Sequence, residues 1–554
     1  MGTGMQIDAS SHTDAGQRRC WWVSFAVLVA IGTSWALASP LFSYPDEPSH
    51  VIYAAGAVRG ELFGAPDGVL SDVSVPASYA AIDLLPCYAF KPDKTAACVR
   101  PIASNIRGQI DVGTSAGRYP PAYYLYAGLP SLFATGGLGI YLMRLLTVLL
   151  CAALIASAIA SARVRTRSPW PIVGLLLALT PMALYFTGGV NPQGPEIAAG
   201  IGLWSAGFAL FGRSDAVGAG DTRMRTRLIL RVIAAAAVLA IVRPISPLWL
   251  FLIAMFVLTA YGQWGVVRAL AIQRMVKLGL ALVVLLGAGT VSWVVLRAFL
   301  QTERTNFAYL SGWRAADISF SRLGYWLRQM VGVFGWLDTD ASPFTYIVWT
   351  ALLGLLLLLA LACGRRRELA AMGGLILVGG LIPIASELAS YGDHGFGWQG
   401  RYILPLLVGV PILAGHMLRG TDVLGRKTAR RLVAMLVVLA ALAHFFAFRA
   451  ALDRFAHGIT DPFSLAPIPP SWGPPFGYAT LIFGYGVGMA VAVAVTMRAL
   501  PSGYDPVDRD YRRDGNILGV PAQAFSPAQQ CHVTIPPRTP DRSEHLPTPA
   551  AREW

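Results

Sequence analysis

The chain reads as an all-α polytopic membrane protein. Three observations carry that reading: 55% of its 554 residues are hydrophobic, only 13% are charged, and apolar runs recur along most of its length. A soluble globular domain carries about 25% charged residues, so an ordinary water-exposed surface is excluded. Runs of about 15 to 25 apolar residues match a helix crossing roughly 30 Å of hydrocarbon. About twelve spans are expected, at 21–39, 136–161, 171–189, 195–211, 228–242, 245–261, 276–298, 344–362, 370–389, 403–418, 432–448 and 476–497. The apolar stretch 118–133 is expected as a surface or re-entrant helix. Counting it as a span would put the basic run Arg163-Val164-Arg165-Thr166-Arg167 on the external side.

The net charge of +14 is distributed as a membrane topology requires. The larger share of the 44 Lys and Arg falls in segments assigned to the cytoplasm, including Arg365-Arg366-Arg367 and the cluster Arg426, Lys427, Arg430 and Arg431, while the remainder is close to neutral. That is a positive-inside pattern, with both termini cytoplasmic, and not a nucleic-acid surface. Segment 1–20 is then cytoplasmic, 21–497 is the transmembrane domain, and 40–117 and 301–343 are its long external loops. Segment 21–39 is long for the apolar region of a signal peptide and is expected to remain as the first span. The stretch 498–554 is polar and Pro-rich without periodicity, and is expected to be a disordered cytoplasmic tail.

No Walker A sequence and no strand–helix alternation of a dinucleotide-binding domain occur. An ATP-driven pump and a cytoplasmic nucleotide-sugar enzyme are therefore disfavoured. The informative polar residues gather at the external ends of the spans. Just after the first span, Tyr44-Pro45-Asp46-Glu47-Pro48-Ser49-His50 places two carboxylates and a histidine at the membrane surface. Asp46 suits a helix cap and also a general base, with Glu47 beside it. His50 either assists Asp46 or hydrogen-bonds a neighbour on the helix surface.

Arg401, Arg243 and Arg118 stand near external span ends, where a guanidinium binds phosphate bidentately or snorkels to lipid head groups. Arg144, inside the second span, shares both readings. Glu196 suits substrate or metal binding, but also the first turn of a helix. Trp336 and Trp398 either stack on a ligand ring or anchor at the interface. Cys87 and Cys98 share the first external loop, and their spacing permits a disulfide.

Several of these segments together resemble the GT-C superfamily of polytopic membrane glycosyltransferases. They are Pro45-Asp46-Glu47, Tyr119-Pro120-Pro121-Ala122-Tyr123-Tyr124 and Gln399-Gly400-Arg401-Tyr402-Ile403-Leu404-Pro405. More closely, Thr180-Pro181-Met182-Ala183, Asn191-Pro192-Gln193-Gly194-Pro195-Glu196 and Gly332-Val333-Phe334-Gly335-Trp336-Leu337-Asp338 resemble the bacterial membrane family called domain of unknown function 2142. The superfamily resemblance implies a GT-C-like fold and an external-loop Asp serving as base or metal ligand. It also implies transfer of a sugar from a polyprenyl-phosphate donor to a glycan, glycolipid or protein of the cell envelope.

On that reading Asp46 and Glu47 are catalytic, and Arg401, Arg243 and Arg118 hold the donor phosphate. His50, Tyr119, Glu196, Trp336 and Gln399 contact substrate. A divalent cation is a candidate cofactor, and the partners are the lipid bilayer and the lipid-linked sugar, not nucleic acid. The alternatives are a transporter or flippase of lipid-linked sugars and a non-catalytic scaffold of envelope assembly.

Overall fold

The computed structural model of the chain describes residues 6–67, 70–104, 106–164, 168–212, 222–300, 310–419, 426–459 and 470–499. They belong to one unit that extends to Ser502. The tail expected at 498–554 lies outside them except for its first two residues, and the 301–343 loop is described from residue 310.

The class is all-α, as expected, with helices dominating throughout. Eight helices among the described residues are long and apolar enough to cross a membrane: Ala15–Ala38, Gly136–Ala162, Arg274–Arg297, Pro343–Cys363, Arg366–Asp393, Gly400–Met417, Thr428–His457 and Tyr478–Arg498. Length and hydropathy thus support eight spans, and the other four expected spans are of a different kind. The stretch 171–189 breaks into Trp170–Ala178 and Pro181–Phe186. The Thr180 side chain accepts from the Ala183 N–H and Pro181 follows it, so a new helix starts there. Gln193–Phe211 is buried along most of its length, Thr222–Ile241 opens on Arg223, Arg225 and Arg227, and Ser246–Tyr261 has 16 residues. Arg274–Arg297, by contrast, has only 11% of the residues in its most apolar stretch buried and leaves its apolar sides for lipid. The stretch 118–133 forms one short helix, Ala122–Ala127, between two single turns.

Two close approaches set the stage for the site. The first helix packs along Gly136–Ala162, which packs along Gln193–Phe211. After it the chain turns through residues 39–46, and the Tyr44 ring lies flat on the backbone of Gly189, where an added Cβ would stand 2.4 Å from the ring. At Gly400 an added Cβ would stand 2.1 Å from the Trp326 carbonyl oxygen, so only glycine lets the helix Gly400–Leu407 begin there. Gln329 Oε1 secures that start by accepting from the Gly400 N–H at 2.6 Å.

The first long loop is an ordered cap. Strands β1 (Ala65–Asp67), β2 (Leu70–Pro76) and β3 (Gln109–Thr114) form an antiparallel sheet in that order, with Val73 opposite Val112. Ser71, Val73 and Val75 are buried in alternation along β2, as one covered face requires. The sheet packs against the helix Glu47–Ala57, all of whose residues are buried. Thr114 Oγ1 donates to the Ser49 carbonyl at 2.7 Å and ties the two together. Farther along, Cys87 and Cys98 are joined as a disulfide. Arg454 Nη2 donates to the Tyr88 and Lys91 carbonyls and to Asp338, fastening this part of the loop to a late helix.

Candidate active site

Asp46 and Glu47 are adjacent in sequence and opposite in environment. Glu47 is wholly buried, and its carboxylate accepts from Arg144 Nε at 2.8 Å, Arg144 Nη2 at 2.6 Å, the Phe42 N–H at 2.9 Å and the Val190 N–H at 3.0 Å. Arg144 spends its remaining donors on the carbonyls of Ala36, Ser39 and Pro40. Every charge in this group is met, which is the condition under which a buried ion pair is tolerated. The structure thus gives Glu47 the contacts of a structural anchor, with its carboxylate fully engaged inside the fold. Arg144 is engaged in the same way.

Asp46 precedes the helix Glu47–Ala57 but does not cap it. Its backbone is left-handed, with φ 62° and ψ 5°, and its side chain makes no cap hydrogen bond. Aspartate tolerates this region better than most residues, yet such a conformation outside glycine persists only where the surroundings impose it. Here they do: Asn191 Nδ2 donates to the Pro45 carbonyl at 2.9 Å on one side, and Glu47 is locked on the other. The result turns the Asp46 carboxylate outward, 49% exposed, with Oδ2 3.3 Å from Arg401 Nη2.

Arg401 completes the pair across the chain. Its side chain is 3% exposed and lies against the Phe186 and Tyr402 rings, yet Nε and Nη1 are buried without a hydrogen-bond partner among the described residues. A buried guanidinium normally satisfies its donors. Arg243 stands nearby with its position fixed from behind: Nη1 donates to Glu196 Oε2 at 2.8 Å and to Gln193 Oε1 at 2.7 Å. Ser246 Oγ and Gln193 Nε2 also donate to Glu196. Gln193 Nε2 reaches the Arg401 carbonyl as well, at 3.0 Å, so the two arginines share one scaffold. Tyr402 lies under both guanidinium groups, 5.0 Å from that of Arg243 and 5.2 Å from that of Arg401. Glu196 is buried, and the contact it makes is that of a carboxylate holding Arg243.

His50 and Tyr119 join the group. His50 Nδ1 and the Tyr124 hydroxyl share a hydrogen bond of 2.8 Å, the His50 ring meets Tyr119 edge-on at 5.5 Å, and Arg243 lies 5.8 Å from the Tyr119 ring. Burial, reinforced by the charges of Arg243 and Arg401, pushes the His50 pKa down to about 3. The imidazole is neutral at physiological pH and is no surface histidine. A folded-state value below the ordinary 6.5 means that the unfolded chain binds the proton first. This contribution to stability is complete above about pH 6.5 and falls as pH drops toward 3. Exchanging His50→Gln is expected to flatten the fall in Tm between pH 7 and pH 5, read by thermal scanning, and parallel curves would contradict it.

The other expected residues sit elsewhere. Arg118 is exposed and donates through Nε to the Ser115 carbonyl, and none of its described hydrogen bonds reaches Asp46, Arg243 or Arg401. Trp336 donates to the Phe42 carbonyl at 3.0 Å and packs near Phe90, supporting the turn before Asp46. Gln399 precedes Arg401, with a buried, unpartnered Oε1. Among the described residues no three His, Cys, Asp or Glu side chains stand together as a metal site. With Glu47 engaged, Asp46 offers a divalent cation one carboxylate beside a competing arginine, so the donor set does not fit one. Gln193 and Tyr402 lie within the Asn191–Glu196 and Gln399–Pro405 motifs, where sequence alone assigns them no role. Their signal was proximity to Glu196 and Arg401.

Residues 29–410 match the family model described as Predicted membrane protein (DUF2142). Two solved structures are similar over 87% of this chain and 77% of theirs, at 15% identity and a TM-score of 0.39: ArnT from Cupriavidus metallidurans in the apo state, and the same protein bound to undecaprenyl phosphate. No curated protein matches. The family match runs through the first helix, the Asp46 turn, both arginines and their scaffold, and covers more than half of the sequence: the chain belongs to the DUF2142 family of membrane proteins.

Proposed function

We propose that this protein is a membrane glycosyltransferase that moves a sugar from a polyprenyl-phosphate donor to an acceptor of the cell envelope, at the outer face of the cytoplasmic membrane. The observation that carries the reading is the pairing of an outward-facing carboxylate, Asp46, with a buried arginine, Arg401, that has two guanidinium nitrogens unspent. A buried cation with free donors suits a phosphate, and a carboxylate beside it suits a hydroxyl proton.

In the proposed step Asp46 takes the proton of the acceptor hydroxyl as that oxygen bonds to the anomeric carbon. The carbon–oxygen bond to phosphate breaks, and the lipid phosphate leaves with the bonding electrons. Arg401, assisted by Arg243, stabilises the charge that grows on it. Attack opposite the leaving group inverts the anomeric configuration.

The experiment uses the purified full chain in liposomes with radiolabelled lipid-linked sugars extracted from bacterial membranes. Label is expected to pass from lipid to acceptor. Translocation of the labelled lipid without transfer would favour a flippase and overturn the proposal.

The proposed orientation is testable separately. A reporter fused after Asp83 or Asp317 is expected to read as external, and one after Arg366 as cytoplasmic. The motive is the lopsided basic charge of the loops. A cytoplasmic signal from the Asp83 fusion would overturn the assigned side.

A further inference from the structure

A cavity of about 310 Å³ has walls that include Tyr119, Arg243, Glu387, Ser390, Trp398 and Tyr402, the last of which also lies against Arg401. Its volume sits at the lower end of the range of roughly 300–1,000 Å³ typical of small-molecule pockets. Glu387 is 1% exposed, and one of its oxygens, Oε1, accepts from the Trp398 N–H at 2.5 Å. The other, Oε2, is buried with no partner among the described residues, and so is the Trp398 indole Nε1. Just behind the wall, on two residues that touch each other, lie a buried unsatisfied acceptor and a buried unsatisfied donor. Trp398 meets Tyr402 edge-on at 5.6 Å, so aromatic surface adjoins both. Arg243, whose Nη1 is held by Glu196, forms part of the wall, and Tyr402 links it to Arg401.

An acceptor, a donor, a serine hydroxyl and aromatic faces around one small cavity match a compact ring bearing several hydroxyl groups. A carboxylate left unmet in a buried setting is costly, and a ligand hydroxyl removes that cost. We infer that this cavity is the subsite for the sugar ring of the donor, with Glu387 Oε2 accepting from one hydroxyl and Trp398 Nε1 donating to another. The inference rests on the proposed transferase reading and extends it: Arg401 and Arg243 hold the phosphate, and Glu387 distinguishes a sugar-bearing lipid from a bare one.

The test measures equilibrium binding to the full chain in detergent of nerylneryl phosphate and of its glucosyl, mannosyl and galactosyl phosphodiesters. At least one sugar ester is expected to bind wild type about tenfold or more tighter than the bare lipid phosphate, the scale of one hydrogen bond to a charged group. Glu387→Gln keeps an acceptor for the Trp398 N–H and replaces the free oxygen by a donor. It should bring that ratio close to one while leaving bare-lipid binding unchanged. Trp398→Phe keeps the ring, removes the indole donor and should lower the ratio in the same direction.

Equal binding of sugar esters and bare lipid by wild type would overturn the inference, as would a ratio that survives both substitutions. Failure of the parent reading looks different. Bare lipid phosphate would then not bind wild type at all, and sugar esters that still bound through Glu387 would uphold the subsite while removing the phosphate role of Arg401.

Discussion

Replacing Asp46 by asparagine is expected to lower sugar transfer by about 10² to 10⁴, the usual contribution of a positioned general base. The fold should barely respond. Asparagine occupies the left-handed region as readily as aspartate, and no cap hydrogen bond is lost because none is made. Asp46→Gly separates chemistry from backbone further, since glycine accepts φ 62° without strain but carries no carboxylate. Both variants should lose transfer to that extent and stay well folded, whereas Asp46→Ala adds a conformational cost. Transfer assays and thermal scanning on the same preparations check this. Transfer by Asp46→Asn within a few-fold of wild type would remove Asp46 as the base.

The second large effect concerns stability. Glu47→Ala leaves Arg144 buried without its anion and strands the N–H groups of Phe42 and Val190. Breaking a buried pair from one side costs about 3–5 kcal/mol, a large part of the roughly 5–15 kcal/mol that holds a typical domain together. Yield and Tm in detergent should collapse together. Removing both charges with Glu47→Leu and Arg144→Met should recover only part of the loss, because the carbonyls of Ala36, Ser39 and Pro40 also lose their donor. A stable, well-expressed Glu47→Gln protein with selectively lost transfer would return Glu47 to the chemistry.

These two predictions rest on a distinction that the motif alone does not contain. An Asp-Glu pair after a span marks the place, but which carboxylate faces outward depends on the backbone angle at Asp46. That angle depends in turn on Asn191 and on Arg144, 97 residues beyond Glu47. Arg401, Arg243, His50 and Tyr119 were legible as candidates because each is a polar residue at an apolar boundary, and folding brings them together. Arg118 has the same signature and sits apart. Glu387 carries no legible role in the sequence because it lies in a long apolar helix, where a carboxylate gives no sign of which cavity it meets. The helical class was legible from composition. The broken 171–189 stretch shows why a count of spans was not: Thr180-Pro181 starts a new helix inside an uninterrupted apolar run.

The central claim is that Arg401 holds a lipid phosphate opposite Asp46, and the dissociation constant of undecaprenyl phosphate tests it most directly. Arg401→Ala is expected to weaken binding at least about tenfold, as the loss of charge-assisted hydrogen bonds predicts. Asp46→Asn, which frees Arg401 from its competing carboxylate, is expected to bind as tightly as wild type or more tightly. Equal affinity in wild type and Arg401→Ala, or weaker binding in Asp46→Asn, would contradict the assignment.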